Sequence, residues 1–142
     1  MKTIFWLFTG FLLGFVFVSI AGRRTKGGRT LMAIGIVVGA WFYIPLAFTG
    51  NADLNGLLME VVGAALFTAM AWTGVRYSVW WLIAGWGTHI LWDVGLHLIG
   101  HGNEFIDSWY PLFCMMFDLV VAIYLLFFMK QEKRSVSARI VG

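Results

Sequence analysis

Five apolar runs, each close to the length of a membrane-spanning helix, fill most of this 142-residue chain. They are read at about 3–21, 31–48, 54–73, 78–100 and 110–129, followed by a basic tail at 130–142. About 20 apolar residues in a helix cross the roughly 30 Å of bilayer hydrocarbon, where every backbone amide must be bonded within the helix. A composition of 61% apolar and 12% charged residues fits that reading and excludes an ordinary water-soluble domain. The expectation is an all-α polytopic membrane protein, one domain over 1–142. Short connections should make consecutive helices antiparallel neighbours in a compact bundle of five transmembrane helices.

The basic residues orient the bundle. Arg23, Arg24, Lys26 and Arg29 follow the first run, Arg76 follows the third, and Lys130, Lys133, Arg134 and Arg139 lie in the tail. The other two connections carry Asp53, Glu104 and Asp107 and no basic residue. Cytoplasmic loops are enriched in Lys and Arg, so the N-terminus is expected outside and the C-terminus in the cytoplasm, with Lys2 a small counter-signal. The net charge of +3 therefore reports orientation and implies no nucleic-acid partner. The start, with Ser19-x-Ala21 after an apolar core, has signal-peptide features. The length of the run and the four basic residues after it favour a retained span. Cys114 is the single cysteine, which excludes an internal disulfide and a cysteine-based zinc cluster.

Several residues serve packing on this reading. Gly10 with Gly14, and Gly35 with Gly39, are small-xxx-small pairs that let backbones approach in lipid. Pro45 is expected to kink the second helix. Trp80, Trp81 and Trp109 fit an interfacial belt, whereas Trp86 and Trp92 lie deeper.

Three acids inside the runs do not fit a purely apolar bundle. Glu60, Asp93 and Asp118 have no Lys or Arg in the spans to neutralise them, and His89 and His97 flank Asp93 at four-residue spacing. A carboxylate at mid-bilayer costs roughly 2.5–3.5 kcal/mol on insertion scales, so an intramembrane acid is by default a functional-site hypothesis. At 1.5 Å per residue, Glu60, Asp93 and Asp118 lie roughly 9, 10 and 12 Å below the outer ends of their helices. Three acids on three helices thus share one depth in the outer half of the bilayer. His89, Asp93, His97 and His101 step round the fourth helix by about 40° each, with His101 at the water boundary. Tyr110, Cys114 and Asp118 form a second such row, and Tyr43 should reach a similar depth. Tyr43 and Cys114 are read first as packing residues.

Carboxylates with imidazoles suit a divalent transition metal: zinc, iron, manganese or copper. The expected ligands are His89, Asp93, His97, Glu60 and Asp118. A metal-free version would use Glu60, His89 and Asp93 as catalytic acid and base. The bland alternative, a buried polar network that only ties helices together, returns about 0.6 kcal/mol per bond, little for a charged group.

The stretch Gly85–Leu126 resembles a group of small, uncharacterised bacterial integral-membrane proteins. It carries Gly85-Trp86, His89-x-x-Trp92-Asp93-x-x-x-His97, Gly102, Trp109-Tyr110-Pro111, and Cys114 with Asp118 four residues on. Members of that group often carry a His-His pair where this chain has Leu96-His97, a departure that weakens the carry-over of a ligand there. The resemblance implies a multi-pass protein of the bacterial cytoplasmic (inner) membrane and treats those positions as a unit; it implies no activity. The His89-x-x-x-Asp93 pair with Glu60 is also similar in logic to membrane-embedded sterol isomerases, five-helix bundles that move protons without metal.

The leading expectation is a small membrane enzyme with an outer-leaflet pocket, acting on a lipid-like or isoprenoid substrate. One alternative is an accessory subunit of a larger membrane complex, ligating a metal, haem or pigment, or a homo-oligomer. Another is a proton or metal-ion transporter. The inner halves of the helices offer Thr68, Thr73 and Ser78 but no acid or histidine, so a relay would stop halfway.

Overall fold

A computed structural model describes residues 1–23 and 27–141, with side chains through Phe127. Arg24, Lys26 and the side chains of Lys130, Lys133, Arg134 and Arg139 lie outside the described residues. Each apolar run becomes a helix: α1 Lys2–Arg23, α2 Gly28–Thr49, α3 Leu54–Arg76, α4 Trp80–Trp92 and α5 Trp109–Val141. No strand occurs among the described residues. Four stretches, Lys2–Arg23, Gly28–Thr49, Leu54–Arg76 and Trp109–Phe127, are long and apolar enough to cross a membrane. The helices overrun the apolar runs because polar end residues remain helical; α5 continues through most of the basic tail. Pro45 sits inside α2 without ending it. Asp53 caps α3, its Oδ1 accepting the Gly56 N–H at 2.8 Å.

The fourth run departs from the expected single helix over 78–100. Its α-helix stops at Trp92 after 13 residues. A π-helical segment, Asp93–Leu98, follows, then a 3₁₀ turn, His101–Glu104. The π segment is closed by Ile99 N–H donating to the Val94 carbonyl at 3.1 Å. The chain then folds back on it at Gly100, where a Cβ would come within 2.6 Å of the Gly95 carbonyl oxygen. Only glycine leaves room for that return.

The helices close into a ring. Neighbours in sequence touch, α2 against α3, α3 against α4, α4 against α5, with lighter contact between α1 and α2. The ring closes through an extensive α1–α5 contact that no short loop enforces. Gly10 lies against the Phe113 carbonyl and Met116, and Gly14 against Phe117 and Val120. The second glycine pair divides. Gly35 makes room for Phe17 and the Trp86 ring, whereas a Cβ at Gly39 would meet nothing within 4 Å. Gly10→Val is therefore expected to destabilise the protein by about 1–3 kcal/mol through overpacking, while Gly39→Ala should cost nothing measurable. Thermal unfolding of the two variants in detergent checks the contrast.

Polarity is inside out. Large apolar side chains such as Phe8, Phe15, Trp72 and Leu91 face outward. Glu60, His89, Asp93, His97 and Asp118 are 0–2% exposed. That is the arrangement hydrocarbon selects, with apolar groups towards lipid and ionisable groups towards the bundle interior. Trp80 and Trp81 are half exposed, as a belt requires, and Trp86 is 2% exposed.

Two apolar clusters frame the polar residues. One contains Ile36, Phe67, Leu82, Trp86, Val121 and Leu125. The other contains Tyr43, Ala47, Ile106, Tyr110 and Cys114. The His89 ring touches both, 4.6 Å from Phe67 and 5.9 Å from Tyr43 between ring centroids.

Candidate functional site

The polar residues form one connected run of six side chains from five elements. It starts on α3, where Glu60 Oε1 lies 3.5 Å from His97 Nε2 of the π segment. His97 stacks on Tyr43 of α2, with centroids 4.3 Å apart and planes 8° from parallel. Tyr43 Oη donates to Asp93 Oδ1 at 2.5 Å. Asp93 Oδ2 lies 3.6 Å from His89 Nδ1 on α4. His89 Nδ1 reaches Asp118 Oδ2 of α5 at 2.7 Å. An ionised carboxylate only accepts, so with Asp118 charged the Nδ1–H donates and His89 keeps an Nε2 lone pair.

All five expected ligands are in this run, and it divides into two parts. His89, Asp93 and Asp118 each offer a ligand atom, and these atoms lie within 4.8 Å of one another. Glu60 and His97 stand outside that group as a pair, joined to it through Tyr43. His101 is at the surface, beside Glu104 at 3.1 Å, as its boundary position implies. Cys114 is buried and unbridged.

The π segment explains why three residues at four-residue spacing all face inward. In an α-helix four residues overshoot one turn, so His89, Asp93 and His97 would fan progressively round the surface. An i→i+5 turn holds more residues than the α-helix's 3.6, so four residues no longer overshoot it. The direction turns back and His97 stays in the bundle. π turns occur frequently at functional sites.

Tyr43 is the residue that sequence reasoning under-weighted. Sequence expects it near the depth of the acids but reads it as packing, because a phenol in an aromatic-rich helix gives no signal of its own. Its hydroxyl bonds Asp93 and its ring bears on His97. Tyr110, in the same outer cluster, donates to the Gly39 carbonyl at 3.0 Å and ties α5 to α2.

Five buried atoms of the run have no hydrogen-bond partner among the described residues: Glu60 Oε1, His89 Nε2, Asp93 Oδ2, and both ring nitrogens of His97. A buried unsatisfied polar atom costs about 1–3 kcal/mol. Such groups are rare in folded proteins and ask for an explanation, an ion among them. The donor set of His89, Asp93 and Asp118 could hold a divalent cation. Ligands about 2.0–2.2 Å from one ion stand roughly 3.3 Å apart in tetrahedral geometry. The 3.6 Å from His89 to Asp93 already meets that spacing. Ligation through Nδ1 would require the Nε2–H tautomer of His89, with His89 and Asp118 about half an ångström further apart.

No curated protein and no solved structure matches this chain. A family model described as "Family of unknown function (DUF6010)" matches residues 5–132. That agrees with the resemblance to an uncharacterised family. The matched stretch covers the polar centre and all but the ends of the bundle, and the chain belongs to that family.

Proposed function

We propose that this protein is a multi-pass membrane enzyme whose buried centre holds a divalent transition cation. His89, Asp93 and Asp118 are the ligands, with zinc, iron, manganese and copper the candidate ions. The observation that carries the reading is the convergence of two carboxylates and an imidazole within 4.8 Å, fully buried. The spans offer no Lys or Arg to balance the two acids. A divalent ion neutralises them, and when bound it supplies Lewis acidity or an acidified water. Tyr43 orients Asp93 through Oδ1 and leaves Oδ2 for the ion, as outer partners of metal ligands do. Glu60 and His97 stand ready to hold or pass a proton beside the centre. The apolar walls favour a lipid-like or isoprenoid substrate.

With all five apolar runs spanning, the three basic segments fall on one side. The proposed topology therefore has the N-terminus outside and the C-terminus in the cytoplasm, in a bacterial inner membrane. This puts the α2–α3 turn and the α4–α5 connection on the outer face.

Metal analysis of detergent-purified protein tests the reading. The expected result is about one zinc, iron, manganese or copper per chain, lost in His89→Ala. Metal-free protein that binds none of these ions on addition would end it. A second, metal-free reading draws on the 2.7 Å His89–Asp118 and 2.5 Å Tyr43–Asp93 bonds. In that case the same residues transfer protons to and from an apolar substrate, as the sterol-isomerase analogy implies.

A further inference from the structure

A groove of about 600 Å³ opens above the polar centre, between the α2–α3 turn and the 3₁₀ turn. Its lining includes Asn51, Asp53, His101, Gly102 and Glu104, and among the described residues it contains no Lys or Arg. Two carboxylates and an imidazole thus face the groove without a balancing cation. His101 and Glu104 lie at the surface, 3.1 Å apart through Nδ1 and Oε1.

The floor of the groove packs against the centre. Gly102 lines the groove and also abuts His97, where a Cβ would come 2.5 Å from Nδ1. That Nδ1 is fully buried and has no hydrogen-bond partner among the described residues. An unpaired imidazole nitrogen therefore lies directly beneath a groove of net negative charge, separated from it by a residue without a side chain. His97 leads on to the rest of the centre by its stack on Tyr43 and its 3.5 Å approach to Glu60.

We propose that this groove is the entry site for the divalent cation, which His101 and Glu104 attract and which passes Gly102 to His97 and then to the centre. The proposal rests on the metal reading above and adds a second, outer site and a route. A cleft of one sign of charge concentrates counter-ions and raises association rates, by about tenfold or more. The lack of Lys or Arg in the lining disfavours an anionic lipid headgroup there. Glycine at 102 is required for space: its φ lies outside the left-handed region, where Gly27 is the only glycine among the described residues. A side chain at 102 would press on His97 and on the Leu96 carbonyl.

The test is the rate of zinc loading into chelator-stripped protein in detergent, followed by competition with a chromogenic chelator. His101→Ala/Glu104→Gln is expected to slow loading about tenfold at low ionic strength, with the final zinc content unchanged. Gly102→Val should slow it further. Both variants loading at the wild-type rate would overturn the entry route while leaving the metal centre standing. Wild-type protein that takes up no zinc, iron, manganese or copper would instead remove the centre, and the route with it. If Gly102→Val lowers the final zinc content by disturbing His97, the exposed double variant decides.

Discussion

Asp118→Asn is expected to weaken divalent-cation binding by more than about 100-fold while the bundle keeps its fold. Removing an outer partner of a metal ligand commonly costs 10–100-fold in affinity, and Asp118 is proposed as a ligand itself. The amide keeps the shape of the carboxylate and can still accept the His89 Nδ1–H at 2.7 Å. What it removes is the negative charge and a strong oxygen donor. A network that served only to tie α4 to α5 would therefore lose little, about 1 kcal/mol of stability at most. Equilibrium metal titration and thermal unfolding of the same variant separate the two cases. A lost cation at unchanged stability supports the centre. Unchanged affinity would remove Asp118 from it.

Tyr43→Phe is expected to lower cation affinity about 10–100-fold and stability by about 1–3 kcal/mol. The substitution keeps the ring stacked on His97 and deletes one bond, from Oη to Asp93 Oδ1. Asp93 is 0% exposed, so no water replaces the lost donor and Oδ1 joins Oδ2 as an unpartnered atom. The freed carboxylate can rotate, and the fixed approach of Oδ2 to His89 at 3.6 Å is lost. Metal titration with a melting curve checks both effects. A variant that binds as tightly as wild type would return Tyr43 to a packing role.

The helices and the candidate ligands were legible in the sequence for one reason. Both follow from the free energy of single groups in hydrocarbon. Apolar runs of the right length must be helices, because lipid bonds no backbone amide. An acid within such a run must face inward, because lipid solvates no charge. Counting 1.5 Å per residue leads one to expect Glu60, Asp93 and Asp118 together, and all three are buried in one connected run.

Partnership was not legible, because it depends on how each helix is rotated about its axis. Glycine contacts set that rotation: Gly63 against Trp92, Gly10 against the Phe113 carbonyl, Gly102 against His97. The spacing of His89, Asp93 and His97 suggested a fan, and only the π segment turned His97 back towards Tyr43. Sequence treats the five candidate ligands as one set; the tertiary structure divides them into His89–Asp93–Asp118 and Glu60–His97, with a tyrosine between. What each segment by itself would do was thus written locally, in hydropathy and spacing. Which side chain meets which was decided only when five helices packed together and the close approach of their backbones left a single set of faces in contact.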